Sequence, residues 1–396
     1  MKVTLNLFST AVLSTIFIPF ANATESALET LVKDGKTNVD FRYRYEGVEQ
    51  EGIDNNATAN TLRTRLTFQS GTINNFSFKL EMDDSRPVSS ETYNSGTNGN
   101  TDYPVVADPK GTDLNQAYLK YQNGGFSALG GRQRILLDDQ RFVGGVGWRQ
   151  NEQTYDGLNM GYKKAGFNGS YSYINNVNRI FGPTGPAADW RGNVHLVNGA
   201  YSFNDAHKVV GFIYSMDFDN AASNSNDTYG LRYLGDFGFA KLTASYASQS
   251  DAGDNPITYT ADYMLADLSG KINGAVDWNI GYEVLGSDEG SKGFITPLAT
   301  LHKWQGWADK FLGTPNTGIK DVYVGIGGKV GPLKLKLAYH DFSSDFGSNS
   351  LGSEIDAVAI YPVNNKVKAV LKLADYSADT HATDTQKIWF MVQVSL

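Results

Sequence analysis

The sequence predicts an all-β protein, a transmembrane antiparallel β-barrel of about eighteen strands, and three observations predict it. Apolar and polar residues alternate with a period of two along most of the 396 residues. The connections between these segments are short and long by turns, as in barrels with tight turns at one rim and long loops at the other. The chain also ends on Ile388, Phe390, Val392, Val394 and Leu396, apolar at every second position to its last residue.

Composition narrows the alternatives. There is no cysteine, which removes disulfide frameworks and thiolate metal sites. Charged residues make up 19% of the chain, against about 25% in ordinary soluble domains. The net charge of −8 and the pI near 5.2 argue against a nucleic-acid-binding chain. A bundle of membrane helices needs apolar runs of about 20 residues, and none follows residue 23. Length by itself would suggest two or three soluble domains. The mean hydropathy of −0.35 does not oppose a barrel, because only every second strand residue must be apolar.

Taken in order, the chain opens with Lys2, an apolar stretch from Leu5 to Phe20, and the small-residue pattern Ala21-Asn22-Ala23. That order reads as a secretory signal peptide over 1–23, leaving 24–396 as a single barrel domain. An exported chain without disulfides points to a bacterial envelope. In the first alternating segment, 37–46, Val39, Phe41, Tyr43 and Tyr45 interleave with Asp40, Arg42, Arg44 and Glu46. In 61–70 and 75–83 the apolar sets are Leu62, Leu66, Phe68 and then Phe76, Phe78, Leu80, Met82. Strands are expected next at 113–121, 126–134, 157–163, 167–175, 194–203, 207–218, 227–235, 239–249 and 257–268. The last six are expected at 271–285, 318–330, 332–342, 354–361, 366–376 and 386–396. Short turns close 71–74, 122–125, 164–166, 204–206, 236–238, 331 and 364–365, whereas 84–112, 135–156, 176–193 and 286–317 are long.

A soluble sandwich would alternate too, burying its apolar face against a second sheet. Two features favour the barrel. Tyr43, Tyr45, Tyr171, Tyr173, Tyr229 and Tyr233 sit on apolar faces near strand ends, the habit of an interfacial girdle. An even number of strands, closed on itself, leaves no backbone group unpaired in lipid.

Several blocks carry a resemblance. They are Glu81-Met82-Asp83-Asp84-Ser85-Arg86, Gly131-Arg132-Gln133, Asp139-Gln140-Arg141-Phe142-Val143-Gly144, Trp148-Arg149-Gln150 and Thr154-Tyr155-Asp156-Gly157. Asn176 to Gly182 and Pro297 to Asp309 continue the series. In this order they resemble the alginate-export family of outer-membrane β-barrels. The resemblance implies an outer-membrane barrel of eighteen strands whose lumen passes solutes, and it implies a monomer, with the trimer common among porins as the alternative.

Charge on the inner wall sets a pore's selectivity. Strand parity points Arg42, Arg44, Arg63, Arg65, Lys79, Arg132 and Arg134 inward, together with Asp40, Glu46, Glu81 and Asp83. These residues either orient an anionic or polyhydroxylated solute or brace the wall as cross-strand pairs. Asp139, Arg141 and Arg149 lie in a long connection that, by the resemblance, folds inward to narrow the pore; the alternative is a solvated outer loop.

One segment departs from period two. Over Leu301–Leu312, Trp304, Trp307, Ala308, Phe311 and Leu312 fall at helical spacing before Pro315. A short amphipathic helix is expected there, with His302, Trp304, Trp307 and Asp309 as a solute-stacking or gating group. The five histidines carry no metal-binding spacing, and no nucleophile elbow or phosphate loop is present. No cofactor, no metal and no enzymatic activity are therefore expected.

The expectation is a porin-like channel in the outer membrane of a Gram-negative bacterium, passing small hydrophilic, anionic or sugar-like solutes by passive diffusion. Its partners would be outer-membrane lipid, lipopolysaccharide and the solute, with no nucleic acid. Export of an acidic exopolysaccharide such as alginate is the alternative.

Overall fold

A strand with one apolar and one polar face is at rest only where hydrocarbon meets one side and a polar interior the other. In the computed structural model, which describes residues 25–396, eighteen such strands close into one antiparallel sheet. The expected signal peptide lies outside the described residues. Helix α1 (Glu25–Lys33) leads into β1 (Lys36–Gln50), β2 (Ala57–Gln69), β3 (Phe76–Pro87), β4 (Gly111–Asn123), β5 (Phe126–Gln133) and β6 (Thr154–Lys164). Then come β7 (Phe167–Asn178), β8 (Asp189–Ser202), β9 (His207–Phe218), β10 (Asn226–Asp236), β11 (Lys241–Asp251) and β12 (Thr260–Ile272). The circuit is completed by β13 (Val276–Leu285), β14 (Ile319–Val330), β15 (Leu333–Ser343), β16 (Ser350–Pro362), β17 (Val367–Ala378) and β18 (Thr385–Ser395).

Consecutive strands pair throughout, and β18 returns to β1 with Val392 opposite Tyr43 and Trp389 opposite Glu46. Closure leaves no edge to be satisfied in hydrocarbon. Every expected strand is present, and most are longer than expected at the long-loop rim, as where β1 runs on to Gln50 and β2 begins at Ala57. The turn expected at 269–270 is displaced. It lies at 273–275, because Asn273 (φ 50°) and Gly274 (φ 71°) both take the left-handed backbone that a two-residue hairpin turn requires.

Outward side chains such as Leu66, Leu80, Met82, Val324, Ile326, Leu337 and Phe390 are exposed and form the lipid-facing belt. Inward, the wall is of two kinds. Along β1–β3 the inner side chains are charged, including Arg42, Arg44, Arg63, Glu81 and Asp83, all buried. Along β8 and β9 they are apolar: Val194, Leu196, Val210, Phe212, Tyr214, Met216 and Phe218 are all buried. The charged face read on the first three strands does not continue on this side. The reason is that long loops turn back into the barrel and cover it, with Val143, Phe294 and Leu298 buried against this wall in one core.

Three connections fold inward. Residues 88–110 pack Tyr93 and Val106 on Val48, Ala57 and Ala59. Residues 134–153 and 286–318 bind one another through Gly144 N–H to the Leu298 carbonyl (2.8 Å) and Thr300 N–H to the Gln140 carbonyl (3.0 Å).

Candidate functional site

The inward loops meet the charged wall in a network of ion pairs. Arg65 donates twice to Asp83, at 2.6 Å each, and also pairs with Glu152 of the second loop. Arg134 spans Glu152 (Nε–Oε2 2.5 Å) and Glu81, while Lys79 stands 4.0 Å from Glu81. Burial raises the Glu152 carboxyl, but Arg134 and Arg65 outweigh it and hold it down at about 2. Arg63 binds Asp40 at 2.6 Å, and Arg132 binds Asp156 at 2.7 Å and Asp113 at 3.4 Å. Arg44 binds Asp108 at 3.1 Å. Arg42 instead donates to Gln150 (2.9 Å), the Gly147 carbonyl (2.9 Å) and the Arg149 carbonyl.

The second loop turns into the barrel and carries Asp139, Arg141 and Arg149 with it. Arg141 is buried, 2.6 Å from Glu283 and 3.0 Å from the Thr296 hydroxyl. Arg149 reaches Glu46 (2.9 Å) and Asp309 (3.1 Å), and Asp139 pairs with Arg232. The structure thus gathers Arg42, Arg44, Arg63, Arg65, Lys79, Glu81, Asp83, Arg134 and Arg149 on one wall. Arg132 stands apart with Asp156, and Arg141 and Asp139 belong to the opposite side.

The helix expected over Leu301–Leu312 does not form. Only Leu301–Lys303 makes a turn of 3-10 helix, and Gln305 (φ 50°), Gly306 (φ 77°) and Asp309 (φ 63°) interrupt the right-handed path. The backbone is claimed elsewhere: the N–H groups of Trp307 and Ala308 donate to Glu354 of β16, the latter at 2.7 Å. Helical spacing records which side chains share a face, and here that face is made by turns.

The same segment carries a buried relay. Lys372 of β17 donates to His302 Nε2 at 2.6 Å, and His302 Nδ1–H donates to Asp309 at 2.6 Å. Asp309 also receives Lys387 at 2.8 Å. Burial drives His302 down to about 3, against the opposing pull of Asp309, so the ring is neutral and can accept from the ammonium. Trp148 stacks on His302 with centroids 4.8 Å apart. The Lys372 ammonium lies 3.7 Å from the Trp307 ring, 4.4 Å from Trp148 and 5.3 Å from Trp389. His302, Trp307 and Asp309 thus meet in one constellation, whereas Trp304 faces Arg141 at 5.4 Å.

Segment 301–312 stands between two cavities. Leu301, His302, Lys310 and Leu312 line one of about 430 Å³ at the long-loop end. Lys303, Trp304, Gln305 and Trp307 line another of about 310 Å³, which reaches Lys336 and Asn279. Asp108, Glu152, Glu283, Arg232, Glu354, Lys372 and Trp389 serve this architecture too, without having been singled out as site residues, and Trp148 joins them from the block at 148–150. Parity alone marks Arg232, Glu283, Glu354, Lys372 and Trp389 as inward, whereas Asp108 and Glu152 lie in connections and needed contacts between distant segments.

Comparison with known proteins agrees with this geometry. Residues 36–179 match the alginate export family. The match takes in the blocks at 81–86, 131–133, 139–144, 148–150 and 154–157, and the block at 297–309 lies beyond it. Among solved structures, Pseudomonas aeruginosa OccK3 (OpdO) is similar in fold, with a TM-score of 0.71 at 14% identity over 95% of this chain and 99% of that one. Pseudomonas aeruginosa OccK9 (OpdG) gives 0.70 at 16% identity over 93% and 100%. The outer-membrane protein OpdK of the same species gives 0.71 at 14% over 92% and 99%. No curated protein matches the chain. The fold is therefore that of the outer-membrane barrels.

Proposed function

We propose that the chain is a passive channel of a Gram-negative outer membrane for small hydrophilic solutes, with a preference for anionic or sugar-like ones. One observation carries the anionic preference. The arginines that parity points inward are all spoken for by carboxylates or carbonyls, so they brace the wall. Lys329, Lys334, Lys336 and Lys368, on the inward faces of β14, β15 and β17, are exposed, and none has a carboxylate within 4.0 Å among the described residues. Uncompensated cations facing lumen water attract anions.

The partition at 301–312 favours small solutes over a polymer, although the family match keeps export of an acidic polysaccharide as the second reading. Planar-bilayer recording tests the proposal. Wild-type protein is expected to give open-channel steps with anions more permeant than cations. The variant Lys334→Glu, Lys336→Glu, Lys368→Glu is expected to lower that ratio. An unchanged ratio in a folded barrel removes these lysines from selectivity, and electrically silent bilayers remove the channel.

A further inference from the structure

The cavity at the long-loop end differs from the rest of the interior in how its cations are used. Arg149 and Lys387 share Asp309. Arg179 and Lys310, which line the same cavity, have no carboxylate partner among the described residues. The Arg179 guanidinium is held between two rings, 4.0 Å from Trp190 and 4.8 Å from Phe181. That packing fixes its plane and leaves its N–H groups without a protein acceptor among the described residues. Val105, Phe181, Leu301 and Leu312 give the space an apolar side, and Gln50, Gln153, His302 and Asp309 line the rest with Arg149 and Lys387. A volume of about 430 Å³ lies within the range of small-molecule sites.

The geometry points to a binding site for a small anion with an apolar body, its charged head held by Arg179 and Lys310 and its body against Phe181, Leu301 and Leu312. A sugar acid is expected to bind more weakly, because Phe181, Leu301 and Leu312 offer its ring hydroxyls no partner. Both cations remain charged near neutral pH, since burial lowers Arg179 to about 10 and Lys310 to about 8. The site stands upstream of the partition and would concentrate such an anion before it passes the lysines on the inner wall. The inference rests on the channel reading for its purpose, but binding itself does not.

The test uses the purified full-length protein with three probes: cyclohexanecarboxylate, its neutral analogue cyclohexanecarboxamide, and glucuronate. Tryptophan fluorescence reports binding, because Trp190 lies against Arg179. Interruptions of single-channel current report it independently. Cyclohexanecarboxylate is expected to bind saturably, with the carboxamide and glucuronate each at least about tenfold weaker. Arg179→Gln and Lys310→Gln are each expected to weaken it about tenfold, with Arg179→Lys retaining part of the affinity and the heat-modifiable migration of the folded barrel kept in all three. Equal binding of carboxylate and carboxamide, wild-type affinity in both glutamine variants, or no saturable signal by either method overturns the site. Absence of current with intact fluorescence binding would instead count against the channel and leave the site standing.

Discussion

Glu283 lies buried inside the barrel, and Arg141, the Tyr263 hydroxyl and Gln305 meet its charge. Removing one member of a buried ion pair strands the other, at about 3–5 kcal/mol. Arg141→Gln is therefore expected to lower the urea midpoint of the barrel refolded in vesicles, and Arg141→Gln with Glu283→Gln to recover most of the loss. Equal midpoints for the double and the single variant would show that the pair does not act as one. His302 supplies a second test at this scale. Its folded value of about 3 lies below the unfolded value of about 6.5. Above pH 6.5 both states are neutral and the contribution is complete. Below it the unfolded chain takes up a proton that the folded ring refuses, so stability falls from about pH 6.5 towards 3. Asp309 faces the ring with its own carboxyl held well below the usual range, against its burial, by His302, Lys387 and Arg149. Its unfolded form titrates only near about 4, so from 6.5 to 4 the ring's contribution changes before that of Asp309. Protease cleavage within 301–312 is expected to rise across that window in wild type and to rise less in His302→Gln; equal profiles would remove the ring from the pH response.

The element that decides the interior is the stretch from Leu301 to Leu312, where periodicity and backbone part. Its spacing of Trp304, Trp307, Ala308 and Phe311 suits a helix, yet the segment is a string of turns tied to the wall. Periodicity reports sidedness and is silent on whether a neighbouring strand will take the backbone N–H groups. Glu354 takes two of them, and that carboxylate comes from a strand more than forty residues away. Gly306 makes the approach possible. Its φ of 77° suits glycine, and a Cβ there would collide with the Glu354 carboxylate. Gly306→Ala is thus expected to release the segment from β16, joining the two cavities and raising single-channel conductance. Conductance and current noise equal to wild type would show that the partition is held without this contact. Strands, by contrast, were legible because each writes its own pattern locally. Alternation in Leu333, Leu335, Leu337 and Tyr339 against Lys334, Lys336 and His340 is visible without any knowledge of neighbours.

At the scale of the whole molecule, parity separated lipid face from lumen face correctly on the charged wall and could not do so on β8 and β9. There both faces are apolar, one against lipid and one against the returning loops, so alternation loses its contrast. The same returning loops sort the charges into two populations. The arginines with Asp40, Glu81, Asp83, Asp108 and Glu152 are buried or half-buried and mutually neutralised. Lys329, Lys334, Lys336 and Lys368 are exposed. Salt acts differently on the two, since screening reaches exposed charges and largely spares buried pairs. The Debye length shrinks from about 30 Å at 0.01 M to about 3 Å at 1 M. The anion-to-cation permeability ratio is therefore expected to fall towards the ratio of bulk mobilities over that range. Heat-modifiable migration of the folded barrel and the protease resistance of 301–312 are expected to stay constant. If selectivity came instead from the paired arginines, the ratio would persist in high salt, because their field acts inside a dry network that salt does not enter. A ratio independent of salt would thus move the selectivity from the lysines to the braced wall, and a loss of protease resistance at 1 M would show that the network is wetter than its burial indicates.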